Sequence, residues 1–128
     1  MHLSALEIRK FYRPRDWTNI HPMDREYDAL TDTIVMELFA GFEKFRVAEG
    51  IDLYVPEIND CDDAGVQFWA YCRRTYPKLY PTGRPPAVGF FVMPGHALNV
   101  VFRPDGKRTF EPQLGVYVPK EPLALLVV

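Results

Sequence analysis

Cysteine is scarce: 128 residues hold two, Cys61 and Cys72. A small secreted domain stapled by disulfides normally carries more. On one helix the two would stand about 16 Å apart at 1.5 Å per residue, too far for a bridge, so a reduced intracellular protein is the default. Long apolar runs are also missing. No segment approaches the ~18 residues of a membrane span. The opening "MHLSALEIRKFYRPRDW" meets Arg and Lys early and has no long apolar core, unlike a signal peptide. Charge of one sign is not in excess. The net charge of −2 and a pI near 5.9 exclude an overall electrostatic pull toward nucleic acid or acidic membrane. Repeats, low-complexity stretches and flexible linkers are absent as well. The chain is therefore read as a single domain, 1–128, with an N-terminal arm at 1–21 and an apolar tail at 119–128.

What is present divides into helical and β-like halves. Met23, Tyr27, Leu30, Ile34, Leu38, Phe42 and Phe45 recur at steps of three and four, which predicts a helix over 23–48. Pro22 suits its first turn and Gly50 its end. Gly41 in the middle costs about 1 kcal/mol relative to Ala. "IDLYVPEI" (51–58) alternates and reads as a short strand. Asn59 or Asp60 is a good N-cap for a second helix, running to Tyr76 with Pro77 as its stop. The proline-rich "YPKLYPTGRPP" (76–86) is a loop. Then come candidate strands at 87–93, 96–102, 108–113 and 115–118. Pro104-Asp105-Gly106-Lys107 is a turn signal that makes 96–102 and 108–112 a hairpin. Pairing about 105–106 would set Phe102 near Thr109 and Val100 near Glu111. Helices first and hairpins after give an α+β layout.

One stretch carries the chemistry: "EINDCDDA" (57–64). Cys61 stands at a helix start, where free N–H groups and the dipole favour a thiolate, among aspartates that oppose one. His96 opens one strand and Glu111 lies on the next. Thiol acyl transfer needs a thiolate, a histidine to pass its proton and a third group to orient the imidazole. Each residue also has a plain structural reading. A free cysteine is usually an inert core thiol, a histidine after Gly95 is usually a satisfied structural one, and Glu111 can be an ordinary strand residue. Asp60 can simply cap the helix, with Asp62 and Asp63 favoured by its dipole. Cys72, His2 and His21 read as core and surface residues respectively.

The run "NDCDDA … GHALNVVFRPDGKRTFEPQLG" resembles the papain-like cysteine-protease domain at the C-terminus of the Marasmius oreades agglutinin and its small stand-alone relatives. Over roughly residues 55–116 the motifs follow the family's order. Leu98 departs from a frequent Trp, and Ala64 from a common aromatic. The resemblance implies a papain-like fold with Cys61 as nucleophile, His96 as base and Glu111 as its orienter. Backbone N–H at Cys61, with Asn59 or Gln113, would stabilise the oxyanion. It also implies Ca²⁺, for which Asp60, Asp62 and Asp63 supply oxygens and Glu57 and Asn99 are further ligands. A bound divalent ion would cancel the charge that opposes the thiolate.

The leading expectation is thus a cysteine-dependent hydrolase of peptide or amide bonds, calcium-dependent, acting on a peptide or protein substrate. A transglutaminase-type acyl transferase shares that chemistry. The alternative is a non-catalytic binding or assembly module on the same fold, such as a structural component of a larger particle. It would dock a protein partner through the arm, with Trp17, or through the tail "LALLVV".

Overall fold

The computed structural model describes residues 1–51, 61–93, 96–119 and 125–128. Of Cys61, Asp62, Asp63, Met93 and His96 it describes the backbone alone. The fold is α+β. A six-stranded sheet runs in the order β2-β8-β4-β5-β6-β7, and a two-stranded sheet pairs β1 with β3. These strands are β1 (His2–Ser4), β2 (Ile20–His21), β3 (Glu26–Asp28), β4 (Val88–Met93), β5 (His96–Arg103), β6 (Gly106–Glu111), β7 (Val116–Val118) and β8 (Leu125–Val127). Among the described strands β2–β8 is the one parallel pair; the others are antiparallel.

Both faces of the large sheet are covered, which explains why β5 reads as an almost unbroken apolar run. Leu98, Val100 and Phe102 pack with Leu3, Ile8, Ile20, Tyr27 and Leu126 on one side. Val101, Val88 and Phe110 pack with the helical layer on the other, against Leu38, Phe42, Phe68 and Cys72. Alternate residues of one strand thus feed two separate cores.

The N-terminal 21 residues are not a loose arm. They form β1, helix α1 (Ala5–Arg9), a 3₁₀ turn over Pro14–Asn19 and β2. Ser4 and Glu7 make a reciprocal capping box that starts α1. Phe11, Tyr12 and Trp17 pack on the first core. The end of the apolar tail forms a strand, β8, between β2 and β4, with Leu126 and Val128 fully buried. Leu126 and Val128 are core, while Leu125 stays exposed.

Helix α2 runs Asp32–Ala48, nine residues shorter at its start than the periodicity predicts. Thr31, in an extended conformation, accepts the Ile34 N–H and caps it. Tyr27 has helical spacing in the sequence but sits in β3, opposite Leu3 of β1. Long-range pairing overrides a local pattern there. Gly41 is explained by packing: a Cβ on it would collide with the hydroxyl of Tyr71 on α3. Helix α3 runs Cys61–Leu79 and passes through Pro77, which the sequence reading took as a stop. Pro77 falls in the last turn, where Tyr80 N–H still reaches the Tyr76 carbonyl (2.8 Å).

The hairpin forms with a register two residues from the expected one. Asn99 pairs with Phe110, Val100 with Thr109, and Arg103 with Gly106. The loop is therefore Pro104-Asp105, with proline at the first central position and Gly106 closing the turn at φ 137°. The expected strand 51–58 lies almost wholly outside the described residues.

Asp28 ties the layers together. It is 4% exposed. Its carboxylate accepts from the Tyr76 hydroxyl (2.9 Å), Arg84 Nε (2.6 Å) and the Thr82 hydroxyl. Its backbone N–H donates to the Pro85 carbonyl, and its carbonyl accepts from Ala87 N–H, both at 2.8 Å. One residue of β3 thereby grips the whole loop between α3 and β4.

Candidate binding groove

Among the described residues, the end of α2 builds a concavity. Gly50 takes a left-handed φ of 69°. Its N–H donates to Val47 (3.1 Å), and Ile51 N–H donates to Arg46 (2.8 Å). That pair of bonds is a Schellman ending, which only a residue tolerant of positive φ makes cheaply. The turn folds Ile51 back toward α3. Arg46 holds it there, donating to the Ile51 carbonyl (3.2 Å) while paired to Glu43 at 2.7 Å.

On α3, Gln67, Ala70, Tyr71 and Arg74 recur at steps of three, one and three along one helical face. The close approach at Gly41 brings this face beside α2. Tyr71 packs at 5.7 Å from both Phe42 and Phe45. The result is a groove of about 210 Å³ lined by Phe45, Ile51, Gln67, Ala70, Tyr71 and Arg74. That is below the ~300 Å³ of a typical small-molecule site, and it suits one ring-sized group. Its lining joins aromatic and aliphatic side chains to one amide and one guanidinium. Arg74 is exposed and, among the described residues, has no ion-pair partner.

The residues singled out from sequence are distributed as follows. Cys61 is the first residue of α3 and His96 the first of β5. Asp62 and Asp63 follow in the first turn of α3. The side chains of these four lie outside the described residues, as do Glu57, Asn59 and Asp60 altogether. Among the described residues no three His, Cys, Asp or Glu side chains group as metal ligands. Glu111 ends β6, is 7% exposed, and accepts from the Gln113 backbone N–H (3.1 Å). Asn99 is fully buried and acts as a clamp. Its Nδ2 donates to the carbonyls of Gly65 on α3 (2.9 Å) and Gly89 on β4 (3.1 Å). Cys72 is the core thiol expected, and complete burial pushes its pKa far up. Arg73 pairs with Asp24 (2.5 Å) and lies 5.3 Å over the Trp69 ring.

No family model and no curated protein matches the chain. Solved structures do. One chain, described as the "PSL1a-E64 complex", is 17% identical with a TM-score of 0.79; the match covers 99% of this chain and 50% of that one. Another is the Polyporus squamosus lectin bound to the human-type influenza-binding epitope Neu5Acα2-6Galβ1-4GlcNAc. It is 18% identical with a TM-score of 0.67, over 85% of this chain and 42% of that one. The fold is shared with a lectin. The chain spans about half the length of the solved chains it matches. The agglutinin side of the resemblance therefore holds at the level of fold.

The hydrolase side does not. The expectation of a cysteine hydrolase, and with it the assignment as a thiol protease, rested on three residues and a family motif. The fold that houses them recurs in a lectin, a protein of the binding class, and a fold carries no chemistry of its own. The lectin neighbour fits the alternative expectation, a binding module, better than the hydrolase. The groove residues Phe45, Gln67, Tyr71 and Arg74 were missed from sequence. Their only signal was the shared face of Gln67, Tyr71 and Arg74, which looks like any solvated helix flank.

Proposed function

We propose that this chain is a non-catalytic binding module whose ligand occupies the groove between α2 and α3. The observation that carries the reading is the pairing of the Phe45 and Tyr71 rings with the Gln67 amide and Arg74 guanidinium around one ring-sized space. A sugar ring has an apolar C–H face that stacks on an aromatic side chain. It also has hydroxyl or carboxylate groups at its edge that planar polar side chains bind. A saccharide is accordingly the ligand class, in keeping with the lectin that shares the fold. Of the fold expectation the α+β layout is retained, helices laid on a mostly antiparallel sheet.

Neu5Acα2-6Galβ1-4GlcNAc and its unsialylated counterpart would be titrated into the protein while backbone amide resonances are followed. Shifts centred on Gln67–Arg74 and Ile51 are expected. Arg74→Ala should weaken binding about tenfold, the effect of losing one charge-assisted hydrogen bond of ~1.4 kcal/mol. Arg74 is exposed, so its melting temperature should not move. If shifts cluster elsewhere, or neither sugar moves any resonance, the groove is not a saccharide site.

A further inference from the structure

Residues 9–15, "RKFYRPR", hold four cations and no acid in a chain of net charge −2. The fold presents them together rather than spending them on ion pairs. Lys10, Arg13 and Arg15 are exposed, and none has an ion-pair partner among the described residues. The aromatic residues between them do the anchoring. Phe11 packs 5.5 Å and Tyr12 6.4 Å from Phe102, sinking the segment onto β5. The tip of the β5–β6 hairpin is drawn to the same place, with Lys107 Nζ 5.0 Å over the Tyr12 ring. A fixed positive surface results, away from the α2–α3 groove and on the opposite side of the sheet.

We propose that this surface binds an acidic polysaccharide, sulfated or rich in uronate. Its charge calls for a polyanion. Its form argues against the other two. The Phe11, Tyr12 and Trp17 rings are packed on the first core, with Lys107 over Tyr12, so they are spent on the fold rather than held out as a stacking platform for a nucleobase. α1 has five residues and the following turn is a six-residue 3₁₀ helix, too short and too flat to enter a DNA groove. Within α1 and the 3₁₀ turn Leu6 is the one exposed large apolar residue, which gives no wedge for a bilayer. A stiff, hydrated chain of sulfates or carboxylates needs only a rigid row of cations.

The test compares Lys10→Gln/Arg13→Gln with Lys44→Gln/Lys78→Gln, which removes the same charge from exposed positions on α2 and α3. Affinity for heparin would be measured against salt. Wild type and the helix variant should show the same slope of log affinity against log salt, and the patch variant a slope lower by about 2, close to one counterion per lost cation. Equal losses in the two variants would reduce the effect to net charge and overturn the site. Tighter binding to a 20-base-pair DNA duplex than to heparin at the same salt would also overturn it, as would phosphatidylserine vesicles that bind wild type but not the patch variant. All four positions are exposed, so unchanged melting curves are expected. The groove titration reads different residues, so either proposal can fail alone.

Discussion

At the scale of single residues, Asp28 is the most consequential side chain that sequence reasoning passed over. It sits in "EYDALTD", which carries helical spacing, and nothing local shows that its partners come from 48, 54 and 56 residues away. Burial alone would raise its pKa. The hydrogen bonds from Thr82, Arg84 and Tyr76, with the Arg84 charge, outweigh burial and hold it below the ordinary value of 3.8. A carboxyl depressed by folding stabilises the protein above its unfolded pKa, and that contribution is lost as pH falls through the folded value. Asp28→Asn should therefore cost about 2–4 kcal/mol at neutral pH, because three donors lose a buried anion. The gap from wild type should close on acidification below the ordinary carboxylate range, as urea unfolding at the two extremes would show. An equal gap at both would mean the residue acts through shape alone. The groove residues were equally hidden. Tyr71 and Gln67 gain meaning only from Gly41 and Ile51, which another element supplies.

At the scale of elements, what was legible is what is decided locally. The β5–β6 hairpin was visible because "RPDGK" states its own turn chemistry. Its register was misplaced by two because the loop is Pro104-Asp105 rather than Asp105-Gly106. α2 was visible in period but not in its start, since Tyr27 pairs in β3, Leu30 lines the core and Met23 lies exposed between β2 and β3, all with helical spacing. The contact between α2 and α3 gives a sharp prediction. Gly41→Ala improves helix propensity by about 1 kcal/mol, yet its methyl meets the Tyr71 hydroxyl, so overpacking of about 1–3 kcal/mol should win. Tyr71→Phe in the same chain removes the obstructing oxygen. The double variant should recover most of the loss in thermal unfolding. Simple additivity of the two changes would mean that the helices do not touch there.

At the scale of the whole molecule, the sheet is held by its least local strand. β8 pairs with β4 on one side and β2 on the other, and Val128 accepts from Met23 N–H and from the Tyr27 hydroxyl, both at 3.1 Å. Leu126→Ala should cost about 2–5 kcal/mol, the range for emptying a close-packed aliphatic site. It should lower the melting temperature of the N-terminal layer and the helical layer together. Separate transitions would show two independent cores. The α+β class was legible at this scale, because helical and β-like periods occupy different halves of the sequence. The place of the ends was not: an apolar hexapeptide and a proline-punctuated opening look like loose surfaces until the pairing of Ile20 with Leu126 joins them.

That pairing bears on how the protein is made. While a ribosome extends the chain, β2 and β4 must wait without their shared neighbour, leaving two sheet edges open until the eighth strand emerges. Closure is thus a late, long-loop event rather than a stepwise one. Any factor that shields nascent chains would find its target during that interval.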